Sequence, residues 1–142
     1  MTMRQLGTHL QVATRGQGLM EITGQVRDWA ESQDVRCGLL TIFCRHTSAS
    51  LLVQENAAAA VRTDIERFFA RLAPENPLEP YEHDDEGPDD MPAHLKTALT
   101  QVQLSIPLED GRLALGTWQG IYLFEHRRAP HRRDIVLHLL GE

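Results

Sequence analysis

A short polar segment, residues 45–50, combines side chains that could bind or act on an anion. It contributes one imidazole and three hydroxyls, those of His46, Thr47, Ser48 and Ser50. Asn56 follows at the predicted start of a helix, where free backbone N–H groups favour a negatively charged ligand. The alternative is a plain turn, in which the hydroxyls bond only to neighbouring backbone groups.

A second polar segment carries His83 and His94, which lie eleven residues apart with four aspartates between them. Imidazole nitrogens suit divalent transition metals, and nearby carboxylates can bind or orient the same ion. The spacing matches no compact zinc motif, so a pair of solvent-exposed histidines in an acidic loop is the alternative. Lys96, close to His94 in sequence, could instead bind phosphate as a mobile cation.

A third segment, residues 115–120 with the sequence LGTWQG, has glycines on both sides of Trp118. Glycines allow backbone amides to approach a ligand or another chain closely. Trp118 could form one wall of a binding site. The commoner role for such a residue is in the core or at an interface, and that reading stays open.

These segments need elements to position them, and hydrophobic periodicity predicts both strands and helices. Strands are predicted at 3–12, 35–44, 104–108, 121–125 and 135–140, and helices at 22–30, 56–72 and 92–100, with a long loop at 75–92. Strand 35–44 is apolar on both faces and is therefore predicted to be central and covered on both sides. Asn56 is the expected N-cap of the second helix. This order predicts an α+β fold, a single domain over residues 1–142 with a largely antiparallel sheet or sandwich and packed helices.

Bulk composition narrows the function classes. Hydrophobic residues make up 42% of the chain and the net charge is -6, which argues against a nucleic-acid binder. No apolar run is long enough for a membrane span and no signal peptide is recognisable, so a cytoplasmic protein is expected. Cys37 and Cys44 would point to opposite faces of one strand, which disfavours a disulfide. Nucleotide-binding and serine-hydrolase motifs are missing.

Three blocks of the sequence together resemble the YjbQ-like family, also called the secondary thiamine-phosphate synthase family. They are HTSASLLVQEN (46–56), YEHDDEGPDDMPAHLK (81–96) and GRLALGTWQGIYLFEHR (111–127). The resemblance implies a compact α+β fold assembled as a homotrimer, with His46, His83 and His94 in one pocket near a subunit boundary. It also implies a bound divalent ion, magnesium or zinc, and a small phosphorylated ligand.

The activity that the resemblance implies is the joining of hydroxymethylpyrimidine diphosphate to thiazole phosphate, with release of pyrophosphate. His46 and His94 would transfer protons or hold the metal. The expected ligand or phosphate contacts are Thr47, Ser48, Ser50, Asn56, Lys96, Trp118, Gln119 and Arg127. The second hypothesis is a metal- or anion-binding trimer without enzymatic activity. Three positions depart from the family pattern, with Ala58 where an acidic residue is frequent, Asp90 where Asn is common and Phe124 where Cys is common.

Overall fold

The computed structural model describes residues 2–142, which form eight strands and three helices. In chain order these are β1 (Arg4–Ala13), β2 (Gly18–Glu21), α1 (Thr23–Glu31), β3 (Gly38–Cys44), β4 (Ala49–Glu55), α2 (Ala59–Leu72), α3 (Asp90–Leu99), β5 (Gln103–Glu109), β6 (Arg112–Leu113), β7 (Gln119–Glu125) and β8 (Arg132–Gly141). In this described part of the chain, no helix is both long and apolar enough to cross a membrane.

The strands form two antiparallel sheets. One has five strands in the order β1-β8-β3-β5-β6, and the other has three in the order β2-β7-β4. Buried side chains of both sheets and of α1 belong to one hydrophobic cluster, which includes Ile22, Val26, Leu40 and Ile121. The predicted α+β fold with an antiparallel sheet is therefore confirmed.

Strand β3 is central in the larger sheet, as predicted, but only one of its faces is covered within the chain. Leu40, Ile42 and Cys44 point into the core, whereas Leu39 and Phe43 on the other face stay largely exposed. Alternating side chains of a strand point to opposite sides, and only one side of this sheet packs against the rest of the chain. The prediction that both faces are covered was wrong for the single chain.

Helix α2 begins three residues later than the proposed cap. Its N-cap is Ala58, which makes no side-chain capping bond. Asn56 instead donates through Nδ2 to Glu21 Oε2 at 3.1 Å. The helix was predicted correctly, and its cap was not, because a contact with a distant strand competes for the Asn56 side chain.

Candidate functional site

His83, Asp90 and His94 converge where the long loop before α3 meets the start of that helix. Asp90 and His94 are four residues apart, so they lie on the same face of α3. His83 reaches them from the loop. Asp90 Oδ2 lies 2.7 Å from His83 Nε2 and 3.2 Å from His94 Nε2. One carboxylate oxygen therefore bridges two imidazoles.

The other oxygen of Asp90 is held by Arg127, which follows β7. Arg127 Nη1 donates to Asp90 Oδ1 at 2.6 Å, and Arg127 Nε donates to Asp89 Oδ2 at 3.0 Å. Arg127 Nη2 also donates to the backbone oxygen of Glu86 at 2.9 Å. Arg127 thus ties the loop and the first turn of α3 to the end of the smaller sheet.

The charge state of this cluster follows from its contacts. Burial alone raises the pKa of Asp90, but the hydrogen bond from His83 and the charge of Arg127 hold that pKa below its usual range. The same hydrogen bond raises the pKa of His83. Asp90 is therefore ionised at neutral pH, and His83 gains proton affinity from it.

These donors fit a divalent metal ion. The ligand atoms of His83, Asp90 and His94 all lie within 4.8 Å of one another, and two imidazoles with one carboxylate are a common donor set for Zn²⁺ and for Fe²⁺. A second group shares His83 and adds the exposed carboxylates of Asp85 and Glu86. Arg127 on the second oxygen of Asp90 is the kind of partner that orients a metal ligand.

His46 lies apart from this metal group. Among residues 2–142, the groups able to hold a metal do not include it. Its Nε2 accepts a hydrogen bond from the backbone N–H of Asp134 at 2.8 Å. Within one chain the structure thus unites two of the three predicted metal ligands, His83 and His94, and leaves His46 outside ligand distance.

His46 and His94 nevertheless line the same cavity, of about 750 Å³. Its apolar lining includes Phe43 and Val102, and its polar lining includes Thr47. Burial and the nearby Arg133 guanidinium lower the pKa of His46, so its ring is neutral near pH 7. The cavity is therefore lined by one of the candidate metal ligands, His94, and by the neutral imidazole of His46.

Two of the proposed anion-binding hydroxyls are used inside the protein. Ser48 Oγ accepts a hydrogen bond from Arg133 Nη2 at 3.1 Å. Ser50 is fully buried, with its Oγ 2.9 Å from His126 Nε2 and 2.6 Å from Thr100 Oγ1. The alternative of a plain turn does not describe them either, because both hydroxyls bond to side chains distant in sequence rather than to neighbouring backbone groups.

The two cations expected on phosphate are also engaged or enclosed. Arg127 is bound to two aspartates, as described above. Lys96 is nearly buried in α3, and this burial lowers its pKa. Lys96 is thus not the mobile surface cation that its sequence context suggested.

The remaining predicted contacts, Asn56, Trp118 and Gln119, lie at the other end of the smaller sheet. In the β4–β7 pair, Glu55 faces Gln119 and Ala49 faces Glu125. Six strand residues separate the two ends, about 20 Å at roughly 3.3 Å per residue. The Trp118 side chain is 63% exposed, so it is not part of the core of the chain. Its distance from the histidines means that it does not line their site.

Sequence reasoning missed three buried polar residues near the site. Glu125 and Arg133 form an ion pair under the 45–50 segment, and His126 is fully buried beside Ser50. Both Glu125 and His126 are enclosed where β7 ends. The signal available was the dense charge of residues 125–128. The central role of Asp90 was also readable, from its i, i+4 spacing to His94.

These features define a class: a small α+β protein of two antiparallel sheets, with a two-histidine, one-carboxylate cluster at the start of its third helix. The family model described as "UPF0047 protein YjbQ-like" matches residues 8–142. The chain therefore belongs to the YjbQ-like UPF0047 family, which confirms the resemblance noted from its sequence.

Individual relatives cover nearly the whole chain. It is 48% identical over 141 residues to the UPF0047 protein sll1880 of Synechocystis, covering 99% of this chain and 95% of the relative. It is 42% identical to the UPF0047 protein YjbQ of Escherichia coli O157:H7, covering 94% and 96%. A solved structure from Sulfolobus solfataricus P2, described as a YbjQ-like protein of unknown function, matches with a TM-score of 0.90 and 25% identity, covering 99% and 100%. A conserved hypothetical protein of Thermus thermophilus matches with a TM-score of 0.79 and 35% identity, covering 92% and 97%.

Proposed function

We propose that this protein binds a divalent metal ion through His83, Asp90 and His94, and that it acts on a small phosphorylated molecule held in the adjoining cavity. One observation carries the proposal. Asp90, almost fully buried, brings two imidazole nitrogens to a single carboxylate oxygen beside a cavity large enough for a small molecule. A bound ion would neutralise phosphate charge at this place.

The transferase reaction that fits the family resemblance is thiamine-phosphate synthesis from the pyrimidine diphosphate and the thiazole phosphate. The residues of this chain would contribute positioning and proton transfer. His46 lines the cavity as a neutral imidazole whose Nε2 already accepts from the Asp134 N–H, so it would position the phosphorylated molecule. His94 lines the same cavity from α3 and would transfer the proton.

A second candidate is a metal- or anion-binding protein without enzymatic activity. Arg127 and Lys96, the cations expected to stabilise a departing pyrophosphate, are bound to aspartates or buried. Transition-state stabilisation of a diphosphate leaving group needs charges that face it. This observation favours simple binding over fast turnover. For either candidate we propose a cytoplasmic homotrimer.

Metal content tests the first part of the proposal. Protein purified without chelator is expected to carry close to one divalent ion per chain by elemental analysis. His94→Ala should lose it, because one of three donors is gone, whereas His138→Ala, an exposed histidine of β8, should keep it. A His94→Ala protein with unchanged metal content would contradict the proposed site.

Turnover separates the two candidates. Synthesis from the two thiamine precursors that is abolished by His46→Ala, with folding and metal content intact, supports the enzyme. A stoichiometric metal ion without turnover of these precursors supports the binding protein.

A further inference from the structure

The hydrogen bonds of His46 determine which of its ring nitrogens carries the proton. The backbone N–H of Asp134 can only donate, and it lies 2.8 Å from Nε2. Nε2 must therefore be the acceptor. Since a neutral imidazole has one acceptor and one N–H, the proton is on Nδ1. His46 Nδ1 is thus a hydrogen-bond donor.

The group that faces this donor is another donor. Arg133 Nη1 lies 3.4 Å from His46 Nδ1, and a guanidinium nitrogen cannot accept a hydrogen bond. Among residues 2–142, this is the sole hydrogen-bond contact of Arg133 Nη1. Two N–H groups therefore point at the same small volume, with no protein acceptor between them.

Arg133 cannot turn away from this arrangement. Its Nε donates to Glu125 Oε1 at 2.8 Å, and its Nη2 contacts Glu125 Oε2 and the Ser48 hydroxyl. The side chains of Arg133 and Glu125 are 4% and 1% exposed. Glu125 also accepts from the Thr14 hydroxyl at 2.6 Å, which leaves the guanidinium with one orientation.

His46 of this pair lines the cavity together with Thr47, whereas Arg133 is buried and does not line it. The neighbouring carboxylates are already engaged, because Glu125 binds Arg133 and Thr14, and Asp134 binds Arg45 at 2.7 Å and His9 at 2.8 Å. Thr97 also lines the cavity, and its Oγ1 is buried with no hydrogen-bond partner in the described chain. An entering acceptor atom thus meets donors without a competing free carboxylate.

We propose that His46 Nδ1 and Arg133 Nη1 form an oxyanion-binding subsite at the His46 wall of this cavity, separate from the metal group. An oxygen about 2.8 Å from each nitrogen would accept from both, as in other paired-donor oxyanion sites. A phosphate or a carboxylate supplies such an oxygen. That this anion belongs to the molecule acted on at the metal group rests on the proposed function, but the donor pair itself does not.

The test uses metal-free protein, so that the subsite is separated from the ion. Inorganic phosphate and acetate are titrated in the presence of EDTA and followed by calorimetry and amide NMR, and the stronger ligand identifies the type of anion. Phosphate or acetate should bind and shift the Asp134 amide signal. His46→Phe should weaken this binding at least tenfold, while His138→Phe should leave it unchanged.

A readout on the unaltered protein avoids any dependence on how the variants fold. Nitrogen-15 spectra of the histidine rings should show His46 protonated on Nδ1, with that signal shifting as the anion binds. A proton on Nε2, or no anion binding without metal, overturns the subsite. Another outcome would also overturn the subsite but leave the metal proposal standing. In it, anion binding requires the metal, is lost in His94→Ala and survives in His46→Phe. Anion binding that stays intact in a protein unable to bind metal would support the subsite and overturn the metal proposal.

Discussion

At the scale of single residues, Asp90 is the carboxylate on which the candidate metal site depends. One of its oxygens bonds to His83 and contacts His94, and the other accepts from Arg127. Its negative charge favours all three contacts. The residue therefore sets both the position of the ligands and the proton affinity of His83.

Asp90→Asn is expected to abolish metal retention and to bring the pKa of His83 back towards its usual value, because the neutral amide no longer favours the protonated imidazole. Elemental analysis and histidine NMR titration measure the two effects. Asp84→Asn, an exposed aspartate of the same loop, is the matched control. Unchanged metal content in Asp90→Asn would mean that the ion binds elsewhere.

The buried ion pair under the 45–50 segment makes a second residue-scale prediction. Arg133→Met leaves the Glu125 carboxylate buried without its main partner, which typically costs about 3–5 kcal/mol of unfolding free energy. Arg132→Met, the preceding and exposed residue of β8, should cost under about 0.5 kcal/mol. Urea denaturation compares the two variants. Equal stabilities would show that the pair contributes little.

His126 makes stability depend on pH. Burial, and then the charge of Lys96, lowers the pKa of His126 to about 3, whereas the unfolded chain has the usual value of 6.5. Between these values the unfolded state binds a proton that the folded state does not, so stability falls as pH falls below 6.5. Over about 2.5 pH units one such group removes about 3 kcal/mol.

Urea unfolding at about pH 6.5 and about pH 4 measures this dependence. His126→Phe should reduce the number of protons taken up on unfolding by about one, so the unfolding free energy should depend less on pH. His138→Phe should leave this dependence as in the original protein. An identical pH slope in His126→Phe would show that His126 is not the group responsible.

At the scale of elements, β3 and β8 approach each other closely at a pair of glycines. Gly38 and Gly141 are cross-strand partners, and a Cβ at either position would collide with backbone atoms of the opposite strand. The pairing of β3 with β8 begins at this glycine pair, so β3 starts at Gly38 rather than at the predicted position 35. It also brings the chain end beside the start of the central strand.

Gly141→Ala is expected to lower stability by about 1–3 kcal/mol, because the backbone must shift to admit the methyl group. Gly24→Ala is the contrasting variant. Gly24 lies in α1, and a Cβ added there has open space around it. Gly24→Ala should therefore raise the free energy of unfolding by up to about 1 kcal/mol. Thermal unfolding should show a lower melting temperature for Gly141→Ala and a higher one for Gly24→Ala. A stable Gly141→Ala protein would contradict the close approach of the strands.

At the scale of the whole molecule, the five-stranded sheet leaves apolar side chains uncovered on its outer face. Leu39 and Leu140 are cross-strand neighbours there, and Phe43 lies further along β3. Exposed apolar groups on one face are typical of a surface that another chain covers. This face supports the proposed homotrimer.

Light scattering is expected to give three times the chain mass of 16.0 kDa. Phe43→Arg should dissociate the assembly, because it places a charge in the covered face. Phe68→Arg, an exposed aromatic residue of α2, is the matched control and should leave the mass unchanged. A species of 16.0 kDa for the unaltered protein at micromolar concentration would refute the trimer.

The sequence by itself determined the local structure and part of the site. Alternation identified β5, helical periodicity identified α1 and α2, and Pro92 marked the first turn of α3, because period and turn chemistry are local properties. The pairing of His83 with His94 was also predictable, since both lie in one short segment around the start of α3.

Tertiary structure decided the contacts that join distant segments. The Asn56 side chain bonds to Glu21 rather than capping α2, and Lys96 is enclosed rather than free. Trp118 lies beside one end of the β4–β7 pair, and the histidine site lies beside the other end. The pairing of these two strands, which joins distant segments, sets the distance between them. The orientation of His46 towards Arg133 likewise depends on the start of β8 lying beside the turn after β3, a long-range placement that no local pattern encodes.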